Sequence, residues 1–484
     1  MSTNLKSEAT TGVRWTAVSM VGVTLVDTVR LIVLGRLLPP NAFGLMAMMI
    51  VIIGFGQIFS QMGLVQAVIQ RADPKPDELA SLYWLNIASG LSVYTLLFLA
   101  TPLIAQLYSS LELNSMLPFI GLMFVLNPMG DLHRAMLEKS LFFKPLAWIE
   151  MSGAFIGMMA SIYLALIGFG VWSLIWGQLG AVVIRNLGFF VMGQRLFSPR
   201  LHFRKDDLKG YLRFGLHHAG AMSVNYVNSR FDQLLIGVLL GPQALGYYSM
   251  AFNLVMRPVQ RINPILTRVA FPVLVQVQND NERMKKWYFK MLNILTSINA
   301  PLLIGISAVA PVAIPLILGE KWLPIVPITQ VLAMYSLIRS AGNAGGSVVL
   351  AKGRADVSFY WNILLLCFVP AVIFCAASLG DVLTVAWSLF AAQAILVFVW
   401  YFVVVRKLLG PCFKGYISAI GIPILLASVM GVVVALSGRV MPFETFLPTL
   451  LCQIGVGAVI YLVLYAIFAR GAMQEQIRLL LNGA

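Results

Sequence analysis

Long apolar segments recur along almost the whole chain, and they leave little room for any other kind of fold. A bilayer core of about 30 Å needs roughly 20 helical residues, because each residue advances a helix by about 1.5 Å. Segments of that kind are predicted as membrane-spanning helices at approximately 14–37, 42–69, 80–108, 114–136, 145–168, 171–195, 211–240, 244–271, 288–310, 323–350, 356–379, 382–405, 413–437 and 444–469. The sequence therefore predicts an all-α polytopic membrane protein with about 14 transmembrane helices.

The distribution of charge supports this topology. Hydrophobic residues make up 59% of the chain and charged residues 11%, against about 25% charged in soluble proteins. Six arginines fall inside the predicted spans. If successive loops alternate between the two sides of the membrane, Arg36, Lys321 and Arg439 are the only Lys or Arg residues on one side. All other Lys and Arg residues lie on the opposite side, which the positive-inside rule assigns to the cytoplasm together with both termini. The net charge of +15 is thereby explained without nucleic acid as a partner.

Several classes of function find no support in the sequence. The loops are short, and no G-x-x-x-x-G-K-[ST] phosphate loop is present, which argues against a self-contained ATP-driven pump. The cysteines are scattered, with neither a disulfide framework nor a metal-binding spacing. They are Cys367, Cys375, Cys412 and Cys452. We expect no catalytic residues, no metal and no cofactor, and we do not expect an enzyme.

An internal repeat relates the two halves of the chain. At an offset of 202 residues, LIVLGRLLPPNAFGLMAM (31–48) aligns with QLLIGVLLGPQALGYYSM (233–250). The glycines and prolines of both windows indicate the turn of a helical hairpin, in which Gly44 or Gly246 lets the second helix pack closely. The offset makes segments 1–6 equivalent to segments 7–12, in two lobes related by a pseudo-two-fold axis along the membrane normal.

The repeat defines the predicted domain organisation. We expect an N-terminal six-helix lobe at 1–197, a basic cytoplasmic linker at 198–210, a C-terminal six-helix lobe at 211–407, two additional transmembrane helices at 411–469 and a cytoplasmic tail at 470–484.

Three motifs resemble a known family. GRLLPPNAFGL (35–45), its repeat GVLLGPQALGYY (237–248) and RFDQLLIG (230–237) are similar to the polysaccharide transporter branch of the multidrug/oligosaccharidyl-lipid/polysaccharide flippase superfamily. The resemblance covers about 10–410. It implies a flippase of the bacterial inner membrane that moves undecaprenyl-pyrophosphate-linked oligosaccharide by alternating access around a cationic cavity, for surface or exopolysaccharide biosynthesis. It also implies lipid-linked oligosaccharide and the bilayer as partners, with a polysaccharide polymerase and export machinery as further candidates.

By analogy with the related lipid II flippases, the resemblance also suggests a role for the last two helices. There the two additional helices form a groove for the lipid tail, and 413–469 could do the same.

Charged residues at membrane depth are the candidate functional residues, because each costs about 3 kcal/mol on insertion scales. The set is Asp27, Arg30, Glu150, Arg185, Arg230, Asp232, Arg257, Arg261 and Arg339. Asp27 and Arg30 are spaced i, i+3 and form either a structural ion pair or part of a site. Arg230 and Asp232 lie about 200° apart around a helix, so each needs another partner.

Three further charges in this set have plainer alternatives. Glu150 and Arg185 lie near the cytoplasmic end, where their side chains can extend to the interface. Arg339 precedes the small residues SAGNAGGS (340–347), and either a cavity or a closely packed core suits it.

The stretch RPVQRINP (257–264) carries the most unusual charges. Arg257 and Arg261 share a helix face and repel each other unless an anion lies between them. Pro258 and Pro264 each free a backbone carbonyl, which predicts a kinked helix lining water or substrate. An acid such as Asp232 or Asp27 could neutralise one of these arginines.

The arginines are chemically matched to a pyrophosphate, which guanidinium groups bind as forks. The predicted substrate-binding residues are Arg257, Arg261, Arg230, Arg30 and Arg339, and the predicted ion-coupling residues are Asp27 and Asp232.

Two rival functions remain. An ion-coupled multidrug or cation exporter of the same superfamily would require buried carboxylates, which arginines outnumber here. A membrane-embedded glycosyltransferase or polymerase would require acid/base groups at an accessible face, usually in a large outer loop, and the predicted outer loops are small.

Overall fold

A computed structural model describes residues 2–71, 74–440 and 446–468, and every regular element within these ranges is helical. The helices are α1 (Ser2–Leu37), α2 (Pro40–Gln61), α3 (Leu64–Gln70), α4 (Pro76–Leu107), α5 (Glu112–Gly121), α6 (Met123–Lys139), α7 (Phe143–Leu166), α8 (Val171–Gly193), α9 (Tyr211–Gln276), α10 (Asn281–Leu318), α11 (Ile325–Ala351), α12 (Ala355–Leu379), α13 (Val382–Trp400), α14 (Arg406–Leu409), α15 (Phe413–Val440) and α16 (Phe446–Phe468). Short 3-10 turns occupy Lys205–Leu208 and Glu320–Trp322, and a π-helical turn occupies Tyr401–Val405. The predicted all-α fold is confirmed.

Twelve helical stretches of the described residues are long and apolar enough to cross a membrane. The multi-pass architecture is therefore confirmed, whereas the count of 14 is not. Two predicted spans lie within α9, where His218–Pro264 forms one stretch of 47 residues. That stretch would be about 70 Å long if straight, more than twice the bilayer core. Within α9, Gly241 departs from helical geometry, with φ 81° and ψ −179°, so the stretch consists of two helices joined at the turn predicted between 211–240 and 244–271. The helix α11 is not among the twelve.

Two other predicted spans are each divided into two helices. Segment 42–69 is divided between α2 and α3, where Met62 (φ 46°) and Gly63 (φ 63°) are left-handed. Glycine tolerates that conformation at no steric cost, whereas methionine rarely adopts it. Segment 114–136 is divided between α5 and α6 at Leu122.

The prolines of RPVQRINP do not interrupt the helix, and the predicted kink stays a prediction. Helix α9 runs through Pro258 and Pro264 with helical φ/ψ angles, so the expected kink does not take the form of a break in the helix. Each proline still lacks an N–H group, and the carbonyl four residues earlier has no helical donor. The prolines therefore leave backbone carbonyl acceptors without helical donors, as expected, although the helix is not broken.

The first of two compact units is Met1–Gly246. In this unit α1 packs on α7, α7 on α8, α8 on α6, and both α2 and α6 on α4. A buried apolar cluster joins α3, the start of α4 and α6 to the segment that follows α8. Leu208 and Tyr211 are among its buried members.

The predicted basic linker at 198–210 is packed against α4. Asp207 Oδ2 accepts a hydrogen bond from Ser81 Oγ at 2.8 Å and lies 2.9 Å from His202 Nε2. Trp84 Nε1 donates to the carbonyl of Arg200 at 2.9 Å. The segment is thus a docked part of its unit. Its cytoplasmic location and the boundaries of the predicted lobes stay predictions.

The second unit is Tyr247–Ala484. Helix α10 contacts α11, α15 and α16, and α13 contacts α11 and α12. Polar contacts hold α16 against α10: Tyr461 Oη donates to the carbonyl of Ser297 at 2.9 Å, and Ser297 Oγ to Tyr465 Oη at 2.9 Å. Such bonds between membrane helices are worth about 0.6–2 kcal/mol each. A lipid groove formed by 413–469 stays a prediction, and the predicted tail at 470–484 lies outside the described residues.

The two repeat windows meet through equivalent residues. A Cβ atom on Gly44 would overlap the carbonyl oxygen of Pro242, and one on Gly246 would overlap the carbonyl oxygen of Pro40. The offset of 202 relates Gly44 to Gly246 and Pro40 to Pro242, so both windows use the same positions in one reciprocal contact. The predicted role of these glycines in close helix packing is confirmed.

Candidate functional site

A polar cavity of about 710 Å³ lies within the second unit. Its volume falls in the range of about 300–1,000 Å³ typical of sites for small organic ligands. Helices α9, α11, α12, α13 and α15 contribute its walls. The lining residues are Met256, Val259, Gln260, Asn263, Pro264, Thr267, Arg339, Ser340, Gly342, Gly346, Ser347, Leu350, Ser358, Trp361, Asn362, Leu365, Gln393, Leu396, Val397, Trp400 and Tyr416. We call it the polar cavity.

Helix α9 contributes a stripe of polar groups to the polar cavity. Gln260, Asn263, Pro264 and Thr267 recur at intervals of three, one and three residues, which places them on one side of the helix. Since Pro264 has no N–H group, the carbonyl of Gln260 lacks its helical donor on this side. The wall therefore offers side-chain amides, a hydroxyl and a backbone acceptor.

Asn263 has hydrogen-bonding capacity left over. It is 3% exposed, and its Oδ1 accepts from Asn299 Nδ2 at 2.8 Å. Its Nδ2 has no hydrogen-bond partner among the described residues. An unsatisfied buried amide costs about 1–3 kcal/mol, so a ligand that accepts from it recovers that energy.

Helix α11 supplies the charge of the polar cavity. Arg339 Nη1 donates to Tyr335 Oη at 3.0 Å, and its guanidinium carbon lies 5.8 Å from the centre of the Tyr335 ring. The small residues that follow do not unwind the helix, which continues to Ala351. Ser340, Gly342, Gly346 and Ser347 instead line the cavity beside Arg339. The sequence left a cavity or a closely packed core open for Arg339, and the structure places it in the wall of the polar cavity.

Aromatic rings form another part of the wall. The ring centres of Trp361 on α12 and Trp400 on α13 are 4.8 Å apart, with an interplanar angle of 72°. Gly345 allows this packing, because a Cβ atom there would overlap the indole of Trp400. Indole faces beside amides and hydroxyls can contact the apolar face of a sugar ring while the polar groups bind its hydroxyls.

The arginines of RPVQRINP lie beside the polar cavity rather than in its wall. Both Arg257 and Arg261 are exposed. At about 100° per residue, they stand roughly 70° and 110° around α9 from the centre of the cavity stripe. Only Arg339 of the five predicted substrate-binding residues lines the cavity, and the binding role of the others stays a prediction.

The other predicted site residues belong to the first unit. Asp27 and Arg30 on α1, and Arg230 and Asp232 on α9, are all partly buried. Arg230 Nη1 donates to Gln233 Oε1 at 3.2 Å, and Asp232 Oδ1 accepts from the backbone N–H of Gln233 at 2.8 Å. Arg230 and Asp232 thus use Gln233 rather than each other, as their spacing predicted.

A charged network in the first unit gives Glu150 partners within the protein. Glu150 accepts from Ser19 Oγ at 2.7 Å and lies 3.5 Å from Arg134, and its extension to the interface stays a prediction. Arg134 also pairs with Glu138 at 2.8 Å. Asp131, which was not singled out although it lies within segment 114–136, has a buried Oδ2 without a hydrogen-bond partner in the described part of the chain.

The sequence analysis also missed most of the polar cavity. Gln260, Asn263, Trp361 and Gln393 are neutral, so a search for charges at membrane depth passes over them. The available signal was the spacing of Gln260, Asn263 and Thr267, which repeats a polar group every turn in an apolar helix.

Comparison with known proteins identifies the family. A family model described as "Polysaccharide biosynthesis protein" matches residues 33–327. The lipopolysaccharide biosynthesis protein WzxC of Escherichia coli is 31% identical over 425 residues, which cover 88% of this chain and 86% of that protein. The chain belongs to the polysaccharide biosynthesis protein family. The teichuronic acid biosynthesis protein TuaB of Bacillus subtilis is 32% identical over 469 residues, covering 95% and 96% of the two chains.

Solved structures agree on the fold. The lipid II flippase MurJ in an inward closed conformation matches with a TM-score of 0.74 and 14% identity, over 95% of this chain and 100% of that one. An inward-facing multidrug resistance MATE family transporter of the MOP superfamily matches with a TM-score of 0.59 and 15% identity, over 80% and 94%. This protein therefore has the fold of that superfamily, as the motifs predicted.

Proposed function

We propose that this family protein flips undecaprenyl-pyrophosphate-linked oligosaccharide across the bacterial inner membrane by alternating access. Family membership supports a role in polysaccharide biosynthesis, and the fold is that of membrane transporters. The polar cavity is the single observation that carries the proposal, because its chemistry matches a sugar better than either rival ligand.

The lining of the polar cavity is suited to an oligosaccharide. Sugar hydroxyls are donors and acceptors at once, and side-chain amides such as those of Gln260, Asn263 and Gln393 can serve both roles. Trp361 and Trp400 provide apolar faces for the ring carbons. Since Arg339 is the one charged group among the described lining residues, the electric field there favours an anion.

The pyrophosphate is assigned to the arginines of α9. Arg257 and Arg261 share a helix face next to the polar cavity, and their mutual repulsion falls when an anion binds between them. One guanidinium group can donate two parallel hydrogen bonds to the oxygens of a phosphate. Arg257, Arg261 and Arg339 are therefore chemically matched to a pyrophosphate. Further contacts from Arg30 and Arg230 stay a prediction.

The polar cavity disfavours the rival functions. A lipophilic cation would be bound by carboxylates, and none of the described residues lining the cavity is acidic. A glycosyltransferase or polymerase would need a group able to move protons, and the cavity wall presents amides, hydroxyls and a guanidinium, which is charged at all ordinary pH values.

Transport in proteoliposomes tests the substrate assignment. The full chain is reconstituted with a fluorescent undecaprenyl-pyrophosphate oligosaccharide, and the labelled lipid that reaches the opposite leaflet is measured. We expect Arg257→Gln/Arg261→Gln to slow transport about 100-fold or more, because two charge-assisted contacts are lost. Arg14→Gln, which removes an exposed arginine of α1, is the control and should transport normally.

Two results would count against this function. Wild-type transport by the double variant would remove the arginines from the site. Inhibition of transport by a lipophilic cation such as tetraphenylphosphonium, with no competition from undecaprenyl pyrophosphate, would favour the exporter.

Coupling to an ion gradient is assigned to Asp27 and Asp232, since both are carboxylates at partly buried positions of membrane helices. We expect the Asp27→Asn/Asp232→Asn variant to equilibrate substrate but to lose the dependence of accumulation on an imposed proton or sodium gradient. Gradient-driven accumulation by this variant across about pH 6 to pH 8 would exclude the pair.

The orientation of the chain in the membrane is tested separately. Lys205→Cys and Lys286→Cys should react with an impermeant maleimide only after the membrane is permeabilised, so that the reagent reaches the cytoplasmic side. Labelling of either position in intact spheroplasts would contradict the predicted cytoplasmic termini and loops.

A further inference from the structure

Two neighbouring cavities occupy one end of the second unit, apart from the polar cavity. The first, of about 620 Å³, lies between the first turns of α10 and the start of α15 and includes Lys286 and Lys290. The second, of about 520 Å³, includes Arg406 and Lys414. We call them the lysine cavity and the arginine cavity.

The charge of both cavities selects an anion. Four cationic side chains line them, and none of the described lining residues is acidic. The nearby carboxylate of Glu282 is engaged elsewhere, at 2.7 Å from Lys285 Nζ. Lys290 Nζ lies 4.7 Å from the centre of the Trp287 ring, which holds the ammonium group beside an aromatic face.

The walls of the cavities select a lipid rather than a soluble anion. In the lysine cavity, Ile294 and Ile422 continue along α10 and α15 in the direction away from the lysines. Asn293 and Ser418 add hydrogen-bonding groups at an intermediate level. This order of cation, polar group and apolar surface matches the headgroup, glycerol region and acyl chains of a phospholipid.

The arginine cavity also combines cationic side chains with apolar surface. Tyr401, Phe402 and Phe413 line it together with Arg406 and Lys414. The π-helical turn Tyr401–Val405 follows directly after Trp400. Trp400 lines the polar cavity, whereas Tyr401 and Phe402, the first two residues of the π turn, line the arginine cavity.

The wall between the two cavities constrains the spacing of the anions. Phe289 and Gly415 line both cavities, and a Cβ atom on Gly415 would lie 2.6 Å from the Phe289 ring. The phenyl ring therefore stands against α15 in the wall that the two cavities share. Two separate phosphate groups, one for each pair of cations, fit this division better than a pyrophosphate, whose two phosphorus atoms share one bridging oxygen.

We propose that the lysine cavity and the arginine cavity together bind an anionic glycerophospholipid with two separate phosphodiester groups, one phosphate in each cavity. The acyl chains lie along the apolar residues of α10, α13 and α15. The site is distinct from the polar cavity and does not depend on the transported substrate.

Lipid titration of the purified full chain tests the proposal. Binding of diphosphatidylglycerol and of phosphatidylglycerol, each added to the protein in detergent, is measured by native mass spectrometry. We expect wild type to prefer diphosphatidylglycerol and Lys286→Gln/Lys290→Gln to bind it about 30-fold more weakly, at roughly fivefold for each cation removed. Ser418→Trp, which fills the lysine cavity without changing its charge, should also weaken binding.

The control variant is Lys205→Gln/Lys407→Gln, which removes two positive charges that line neither cavity. It should bind diphosphatidylglycerol within about twofold of wild type. An equal loss in this control would show attraction to general surface charge and overturn the site. Unchanged binding by both Lys286→Gln/Lys290→Gln and Ser418→Trp would also overturn it, as would a Lys286→Gln/Lys290→Gln variant that loses binding of undecaprenyl pyrophosphate but keeps that of diphosphatidylglycerol.

Discussion

Charged side chains of the first unit pair with one another, whereas the polar cavity of the second unit presents neutral amides and hydroxyls around Arg339. Glu150 has Ser19 and Arg134 as partners, and Arg134 has Glu138 as well. Asn263 keeps an amide nitrogen without a partner in the described chain, as Asp131 of the first unit keeps an oxygen, but only Asn263 lines the polar cavity. Groups that satisfy each other stabilise a fold, and groups that keep bonding capacity can bind a ligand.

This contrast explains why the more strongly charged region is not the better candidate for the binding site. An ion pair that is satisfied within the fold must be broken before either partner can bind a substrate. Neutral amides and hydroxyls cost less to dehydrate than charged groups, and they exchange bound water for sugar hydroxyls with little loss of free energy. The difference can be measured by comparing transport with thermal stability for variants of each region.

Among the single substitutions that compare the two regions, the largest effect is expected at Arg339. We expect Arg339→Gln to lower the transport rate about 10- to 100-fold, since a hydrogen bond to a charged group is worth about 1.5–3 kcal/mol, while Tm changes little. Arg339→Lys should restore part of the rate because it keeps the charge but loses the fork. Transport rate and Tm of the same preparations decide the outcome, and a fall in Tm with an unchanged rate would make Arg339 a structural residue.

A smaller effect is expected from the aromatic wall of the polar cavity. Trp361→Ala should slow transport of lipid-linked oligosaccharide about 3- to 10-fold, in line with about 0.5–1.5 kcal/mol for an aromatic contact. The same lipid without its sugar should be unaffected. Trp361→Phe serves as the control that keeps a ring beside Trp400, and equal losses for both lipids would show that the variant disturbs packing only.

The reverse pattern is expected in the first unit. Glu150→Gln removes an ion pair whose side chains are 44% and 31% exposed, so the cost should be near the upper end for surface pairs, about 1 kcal/mol. Tm should fall by about 1–3 °C while the transport rate stays near wild type. A strong loss of transport with normal Tm would place Glu150 in the mechanism and weaken the contrast between the two regions.

The smallest effect is expected at Asp207 in the docked segment before α9. Hydrogen bonding from Ser81, and then from His202, holds the pKa of Asp207 below its ordinary value. The ionised carboxylate therefore stabilises the fold at neutral pH, and this contribution disappears as the pH falls through the folded-state pKa, below about 3.9. Tm of Asp207→Asn should be slightly lower than that of wild type at pH 7, and the two should converge in acid; a gap that widens on acidification would contradict the assignment.

The fold was largely predictable because hydropathy and charge placement are local properties. Most apolar segments became helices near their predicted bounds, and the repeat correctly indicated that Gly44 and Gly246 pack closely. The turn between the predicted spans 211–240 and 244–271 was predictable as well, since the helical geometry of α9 is interrupted at Gly241. The number of spans was harder, because α11 overlaps the predicted span 323–350 but is not among the twelve stretches that are long and apolar enough.

The candidate site was less predictable, because its residues come from five helices between Met256 and Tyr416. Charge alone picked out Arg339, but Gln260 and Gln393 resemble ordinary polar residues until the helices bring them together. Arg257 and Arg261 were noticed for their charge, yet the cavity wall is formed by Gln260, Asn263 and Pro264 of the same motif. Which side of a helix faces a neighbour depends on tertiary packing, and a short motif does not determine it.

The reciprocal contact of Gly44 with Pro242 and of Gly246 with Pro40 is isologous, in the sense used for two-fold dimers: one surface serves as both partners. Each position must therefore fit the residue equivalent to its own neighbour, and a change in the size of one residue also alters the space required on the opposite side of the contact. The atoms that a new methyl group would strike are main-chain carbonyl oxygens, which no side-chain exchange removes. A suppressor of Gly44→Ala consequently cannot arise by shrinking either proline, and selection for one should recover changes in the flanking helices that move the two backbones apart.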